Sequence, residues 1–115
     1  MKLIQWSNTD ASYNLAAEEY IFTNLDQHQD YLLLWQNRNA VIVGRHQNTI
    51  EEINQDYVKN HGIQVVRRMS GGGAVYHDLG NLNFTFVVAL SGDHSFARFA
   101  QPVLTALHKL GIAAE

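Results

Sequence analysis

Two short runs, Tyr31-Leu32-Leu33-Leu34-Trp35-Gln36 and Ala40-Val41-Ile42-Val43-Gly44, constrain this chain more than any other feature. Side chains alternate faces along an extended strand, so a run that is apolar throughout is apolar on both faces and has to be covered on both. The two runs belong in the middle of a covered sheet, not at its wet edge, and something must supply the cover. Asn37-Arg38-Asn39 separates them, and a three-residue polar connection suits a hairpin.

Helical periodicity elsewhere supplies that cover. Leu3-Ile4-Gln5-Trp6 reads as a short opening strand, and the polar turn that follows offers Thr9 or Asp10 as an N-cap. Ala17, Tyr20, Ile21, Asn24 and Leu25 then recur at helical spacing, which predicts a helix from about Ser12 to Gln27 with Glu18-Glu19 on a solvated or capping face. Ile50, Ile53, Tyr57 and Val58 predict a second helix ending at Asn60-His61-Gly62, with Gly62 just past its end. From about His94, the residues Phe96, Phe99, Ala100, Val103, Leu104, Leu107 and Leu110 give the strongest helical stripe. Pro102 either kinks one long helix or opens a second one. Gly111 closes the stripe, and Ile112 to Glu115 reads as the start of another strand. With 115 residues the chain is at most one domain, of mixed α/β class.

Chemistry concentrates between these elements. Ile63 to Arg68 reads as a strand, and Met69-Ser70-Gly71-Gly72-Gly73 follows it. Glycine lets backbone N–H groups approach a ligand closely, and a row of them forms an anion-binding concavity. The other reading of three glycines is a flexible hairpin loop. Alternation places Arg67 with Ile63 and Val65 and Arg68 with Gln64 and Val66, so Arg68 is the candidate for ligand contact and Arg67 for a structural role. After Ala74 to His77 and a turn at Asp78-Leu79-Gly80, a long strand runs from Asn81 to Leu90. Its one face is apolar from Leu82 onward, whereas the other begins Asn81, Asn83, Thr85. That polar end marks either a pocket beside the glycine loop or a strand end in solvent. Gly44-Arg45-His46-Gln47-Asn48 leaves the end of a buried strand, where loops commonly present binding groups.

Composition narrows the partners. The net charge of −3, from 8 basic and 11 acidic residues, gives no general attraction to nucleic acid or anionic lipid. An anionic ligand would need a local cluster, and Arg67-Arg68 is the only adjacent Lys/Arg pair. The absence of cysteine excludes a thiolate metal site or cysteine nucleophile within these residues. The six histidines (28, 46, 61, 77, 94 and 108) show no paired metal-ligand spacing. No apolar run is long enough to span a bilayer as a helix, so neither membrane nor nucleic acid is an expected partner, and the cytoplasm is the expected location. A P-loop would need Lys and Ser or Thr where Ala74-Val75 stands, and a Rossmann fingerprint would lead into a helix. Ser70, His77 and Asp78 lack the glycine context of a nucleophile elbow.

Arg67-Arg68-Met69-Ser70-Gly-Gly-Gly-Ala-Val-Tyr-His-Asp-Leu-Gly-Asn81 closely resembles the signature of lipoate–protein ligases of the LplA type. Tyr13-Asn14-Leu15-Ala16-Ala17-Glu18-Glu19, Leu34-Trp35-Gln36-Asn37 and Gly44-Arg45-His46-Gln47-Asn48 agree with it. The resemblance implies the biotin/lipoate protein ligase catalytic fold, a mixed, largely antiparallel sheet packed with helices, of which residues 1–115 form the N-terminal portion. It implies ATP and Mg²⁺ as cofactors, lipoate as substrate, activation to lipoyl-AMP, and transfer to a lysine of a lipoyl-accepting domain. Such domains belong to 2-oxoacid dehydrogenase complexes or to the glycine cleavage H protein. By motif, Arg68, Gly73, Ala74, Val75 and Tyr76 would bind the nucleotide, while Trp35, Ser70, Gly72, His77 and Asn81 would line the acyl-adenylate pocket.

The family's catalytic lysine lies in a segment C-terminal to Glu115. Lys2, Lys59 and Lys109 do not resemble its motif, so no catalytic residue is assigned within the chain. The expectation is an N-terminal half that is inactive without its C-terminal half or a second chain. The alternatives are a non-catalytic lipoyl- or nucleotide-binding half-domain, one that dimerises through a terminal strand, or an octanoyl or lipoyl transferase-like protein.

Overall fold

The two doubly apolar runs become the middle strands of two separate three-stranded sheets in a computed structural model, which describes residues 1–26, 28–89 and 95–115. In chain order the elements are β1 (Lys2–Gln5), α1 (Ala11–Asn24), β2 (Tyr31–Trp35), β3 (Ala40–Val43), α2 (Thr49–Glu52), α3 (Gln55–Asn60), β4 (Gln64–Arg67), β5 (Val75–His77), β6 (Asn83–Val87) and α4 (Phe96–Lys109). One sheet has the order β1-β2-β6, with β1 parallel and β6 antiparallel to β2. The other is β4-β3-β5, with β4 parallel and β5 antiparallel to β3. The mixed sheet implied by the resemblance is thus two small mixed sheets, with pairings evenly divided between the two senses.

Because β2 and β3 fall in different sheets, the connection between them is not the expected hairpin. Its backbone is pinned on either side instead of closing on itself. Arg38 N–H donates to the Thr9 carbonyl at 2.9 Å, Gln64 N–H donates to the Asn39 carbonyl at 3.1 Å, and the Asn37 side chain is wholly buried. A polar side chain with buried partners holds a crossover open where sequence spacing alone favours a tight turn.

Asp10 caps α1 by accepting the Tyr13 N–H at 2.9 Å. Its other oxygen accepts from Gln64 Nε2 at 2.7 Å, while Gln64 Oε1 accepts the Ala11 N–H at 2.8 Å. One β4 glutamine therefore ties the helix start to the second sheet. The Tyr13 bond first, then Gln64, holds the Asp10 carboxyl below its ordinary range. Leu15 packs against both core clusters, one built on Ala11, Ala40 and Ile42 and the other on Tyr31, Leu33 and Trp35. The inward face of α1 is thus Ala11, Asn14, Leu15, Glu18 and Ile21, with Leu25 packing just after the helix; Tyr20 and Asn24, counted on the periodic face, are exposed. The expected end at Gln27 lies outside the described residues.

The single helix expected over residues 50–60 is two. Asn54 accepts the Tyr57 N–H at 3.0 Å and starts α3 afresh, the usual competition of an asparagine side chain with a helix interior. Gly62, at φ 60°, stands just past the α3 cap at His61, as expected. α4 is one helix with Pro102 inside it, and Gly111 follows its cap at φ 78°. No strand forms over residues 112–115. Ile112 N–H returns to the Leu107 carbonyl at 3.0 Å, so the segment closes the helix instead of extending. Leu90 of the expected long strand and His94 at the head of the stripe lie outside the described residues.

The chain exposes 7986 Å², against about 6,300 Å² for a compact monomer of this mass. Large apolar side chains are exposed along much of the chain, among them Leu82 and Phe84 just before and at the start of β6, and Phe96 and Leu110 at the two ends of α4.

Candidate functional site

A cleft of about 550 Å³ opens where the polar end of β6 meets β5 and the glycine loop, as the Asn81, Asn83, Thr85 pattern predicts. Trp35, Arg68, Ser70, Val75, Tyr76, His77 and Asn81 line it. Gly72, Gly73 and Ala74 do not, and form the exposed or half-exposed loop between Ser70 and β5. Asn83 and Thr85 line it too, as the polar end of that strand suggested, whereas Glu18, read as part of a solvated or capping face, is a wall residue that the sequence reading missed. Glu18 accepts a short hydrogen bond from the Thr85 hydroxyl, linking α1 to β6 across the cleft, while Glu19 is exposed. The signal for Glu18 was its place three residues after Leu15 on the inward face of α1.

The two arginines divide as their alternation requires. Arg67 lies outside the cleft and donates through Nη1 to the carbonyls of Gly44 (2.9 Å), Arg45 (3.2 Å) and Gln47 (2.8 Å), and through Nη2 to Thr49 Oγ1 at 2.7 Å. It fixes the loop after β3. Arg68 lies in the cleft wall and holds the glycine loop from beneath: Nη2 donates to the Gly71 and Gly73 carbonyls, both at 2.8 Å, and Nε to Ser70 Oγ at 3.1 Å. A third donor, Nη1, reaches the Ile42 carbonyl at 3.2 Å.

With its carbonyls gathered on Arg68, the loop is left with a donor surplus. No backbone N–H from Gly71 to Ala74 donates to any other group among the described residues. Gly72 sits at φ 96°, a conformation other residues rarely adopt. Beneath it, a Cβ on Gly44 would lie 1.9 Å from the Gly72 carbonyl oxygen, so only glycine permits the two loops to touch. Arg45 N–H adds a bond to the Ser70 carbonyl at 2.9 Å. The segment Gly44 to Asn48 therefore buttresses the glycine loop; Arg45, His46, Gln47 and Asn48 do not line the cleft.

The opposite wall is aromatic and amide-rich. Trp6 stacks on Trp35 with ring centres 6.2 Å apart, and Trp35 meets His77 edge-on at 6.4 Å. Asn37 Nδ2 lies 3.1 Å from His77 Nδ1. Burial, then the nearby Arg68 charge, lowers the His77 pKa, so the ring is neutral near pH 7. Two buried donors, Trp35 Nε1 and Asn83 Nδ2, have no hydrogen-bond partner among the described residues. These donors lie beside a donor-rich loop and a guanidinium, an arrangement whose chemistry complements acceptor oxygens. Among the described residues no group of three His, Asp or Glu is placed to hold a metal ion.

Fold and site together define a mixed α/β unit with a glycine-rich loop at the mouth of a donor-lined cleft. The chain belongs to the lipoyl protein ligase A/B catalytic domain family, whose model matches residues 10–115. It is 57% identical over 108 residues to lipoate-protein ligase LplJ of Bacillus subtilis, covering 92% of this chain and 33% of that protein. It is 52% identical over 118 residues to lipoate–protein ligase 1 of Staphylococcus aureus, covering 100% and 36%. The chain thus spans about a third of the curated relatives it matches. Among solved structures, a bi-partite lipoate protein ligase of Thermoplasma acidophilum, described with its E2 lipoyl domain, superposes with a TM-score of 0.89 at 34% identity, covering 99% of this chain and 47% of that one. P. falciparum LipL1 in complex with lipoate gives 0.83 at 30% identity, covering 99% and 38%. A lipoate-protein ligase A bound with ATP gives 0.83 at 34%, covering 96% and 47%.

Proposed function

We propose that this chain forms the nucleotide- and acyl-binding part of a lipoate–protein ligase. In that reaction a lipoate carboxylate oxygen attacks the α-phosphorus of ATP, pyrophosphate leaves, and lipoyl-AMP results. A lysine amine of a lipoyl-accepting domain then attacks the acyl carbon and AMP leaves. The observation that carries the reading is the glycine loop, whose Gly71 and Gly73 carbonyls are held by Arg68 and whose consecutive N–H groups have no acceptor among the described residues. Such prearranged donors stabilise the charge that develops on a phosphoryl oxygen without reorganisation during reaction.

In this reading Arg68, Gly73, Ala74, Val75 and Tyr76 hold the phosphate and the mixed anhydride, and Trp35, Ser70, Gly72, His77 and Asn81 surround the acyl-adenylate. The lipoate- and ATP-bound structural neighbours support both ligands, and the lipoyl domain of the bi-partite neighbour supports a lipoyl-accepting partner. The finer partners of the reading are those of the 2-oxoacid dehydrogenase complexes and the glycine cleavage H protein. An ATP-consuming reaction fits the cytoplasm. Mg²⁺ accompanies the nucleotide in this reading, and since no group of three His, Asp or Glu among the described residues is placed to hold a metal ion, the phosphates would supply part of its ligand set.

Calorimetric titration of lipoyl-AMP tests the assignment against a Gly73→Pro variant, which removes one loop N–H. Binding should weaken about tenfold, the effect of losing one hydrogen bond to a charged group. Equal affinities would remove the loop from the site, and no binding by the unaltered chain would overturn the reading itself. The uncovered apolar faces of β6 and α4 favour a working unit that includes further protein, supplying the family's lysine. Lipoate-dependent ATP–pyrophosphate exchange is accordingly expected to be absent from these 115 residues alone. Robust exchange would refute that division of labour.

A further inference from the structure

The tautomer of His77 is governed by side chains that never reach the cleft. An indole N–H can only donate, and Trp6 Nε1 donates to Asn14 Oδ1 at 2.7 Å. The Nδ2 group of Asn14 is thereby turned toward the Asn8 and Gln36 carbonyls and Asn37 Oδ1, each 2.9 Å away. Those carbonyls only accept, so a flipped Asn14 would clash at both ends. Asn37 must then offer its oxygen to Asn14 and its Nδ2 to His77, 3.1 Å from Nδ1. Both asparagines are 0% exposed, so bulk water does not compete for their partners. A ring nitrogen facing a donor has to be unprotonated, and the neutral ring then carries its hydrogen on Nε2.

We propose that Trp6, Asn14 and Asn37 act as positioning residues that lock His77 in the neutral Nε2–H tautomer, presenting the cleft with a fixed hydrogen-bond donor for an acceptor oxygen of the acyl-adenylate. The identity of that acceptor rests on the function proposed above; the lock itself does not. His77 joins Trp35 Nε1 and Asn83 Nδ2, the two unpartnered buried donors of the cleft residues. One consequence is exclusion: a ring locked this way takes no proton from the cleft side, so it is not the base that deprotonates the incoming lysine.

Long-range ¹H–¹⁵N correlation on ¹⁵N-histidine-labelled protein reads the tautomer directly, with the His77 signals identified as those lost in His77→Gln. The ligand-free protein should show unprotonated Nδ1 and protonated Nε2. Asn37→Asp keeps the shape and the bond from Asn14 but faces Nδ1 with an acceptor. It should reverse the tautomer and weaken lipoyl-AMP binding about tenfold. A mixed or Nδ1–H ring in the unaltered protein, or no reversal in Asn37→Asp, overturns the lock. Should Asn37→Asp fail to fold, the spectrum of the unaltered protein still decides. Reversal with unchanged affinity overturns the donor role of His77. A locked tautomer in a protein that binds no lipoyl-AMP would instead count against the proposed function while the lock stands.

Discussion

Where α1 meets β2 and β3, Leu33, Ile42 and Val43 are fully enclosed and two asparagines are buried with every partner accounted for. Along α4 no residue is buried, and Phe96 and Leu110 are 87% and 74% exposed despite the strongest amphipathic stripe in the chain. The two regions have similar apolar content and opposite fates. A stripe specifies that a face wants cover, but it takes a second surface to bury it. The seam has that surface within these residues, because Leu15 of α1 reaches both core clusters at once. The α4 face is only half-covered: Phe99 meets Phe86 of β6 with ring centres 6.2 Å apart, and Val103, Leu104 and Leu107 are half-buried.

Stability measurements can break this contrast. Leu33→Ala should cost about 3–4 kcal/mol in urea unfolding, the cost of a cavity in a closed core. A loss under about 1 kcal/mol would mean the seam is not closed. Gly44→Ala should cost about 2 kcal/mol, since its methyl cannot coexist with the Gly72 carbonyl, and should also weaken lipoyl-AMP binding by displacing the loop. Unchanged binding would show that the loop can move without consequence.

Acid sharpens the same comparison. The native His77 pKa is depressed, so the unfolded chain takes up its proton first, and stability should fall as pH drops below about 6.5, levelling off below the native value. Asp10 acts in a lower window: its stabilising charge is present above the unfolded carboxylate pKa and is lost as pH falls through its depressed native value. Thermal melts across this range should show a shallower upper decline in His77→Gln; an identical profile would contradict the assignment. The smallest effect is expected from Leu110→Ser, within about 0.5 kcal/mol. A larger loss would show that the α4 face is covered after all.

Much of the site could be read from residues alone because its motif is contiguous. Arg68, Ser70 and Val75 to His77 reach the cleft as neighbours in sequence, and the Asn81, Asn83, Thr85 alternation marks the open end of the strand. What could not be read joins distant segments. Glu18 meets Thr85 across 67 positions, and Asn14 meets Asn37 across 23. No spacing rule separates an asparagine bound for the core from one bound for solvent.

By itself, then, the sequence determined local matters: that β2 and β3 must be enclosed, that Asp10 can start a helix, that glycine is tolerated where φ turns positive, and which family signature the loop carries. These follow from side-chain volume, periodicity and backbone sterics, which act within a few residues. Tertiary structure alone decided that β2 and β3 enter different sheets, that Arg68 draws in the loop carbonyls and leaves its N–H groups outward, and that a buried amide chain reaches His77. Hydrogen bonds in a dry interior depend on which donors and acceptors arrive together, and only the folded chain brings them within 3 Å of one another.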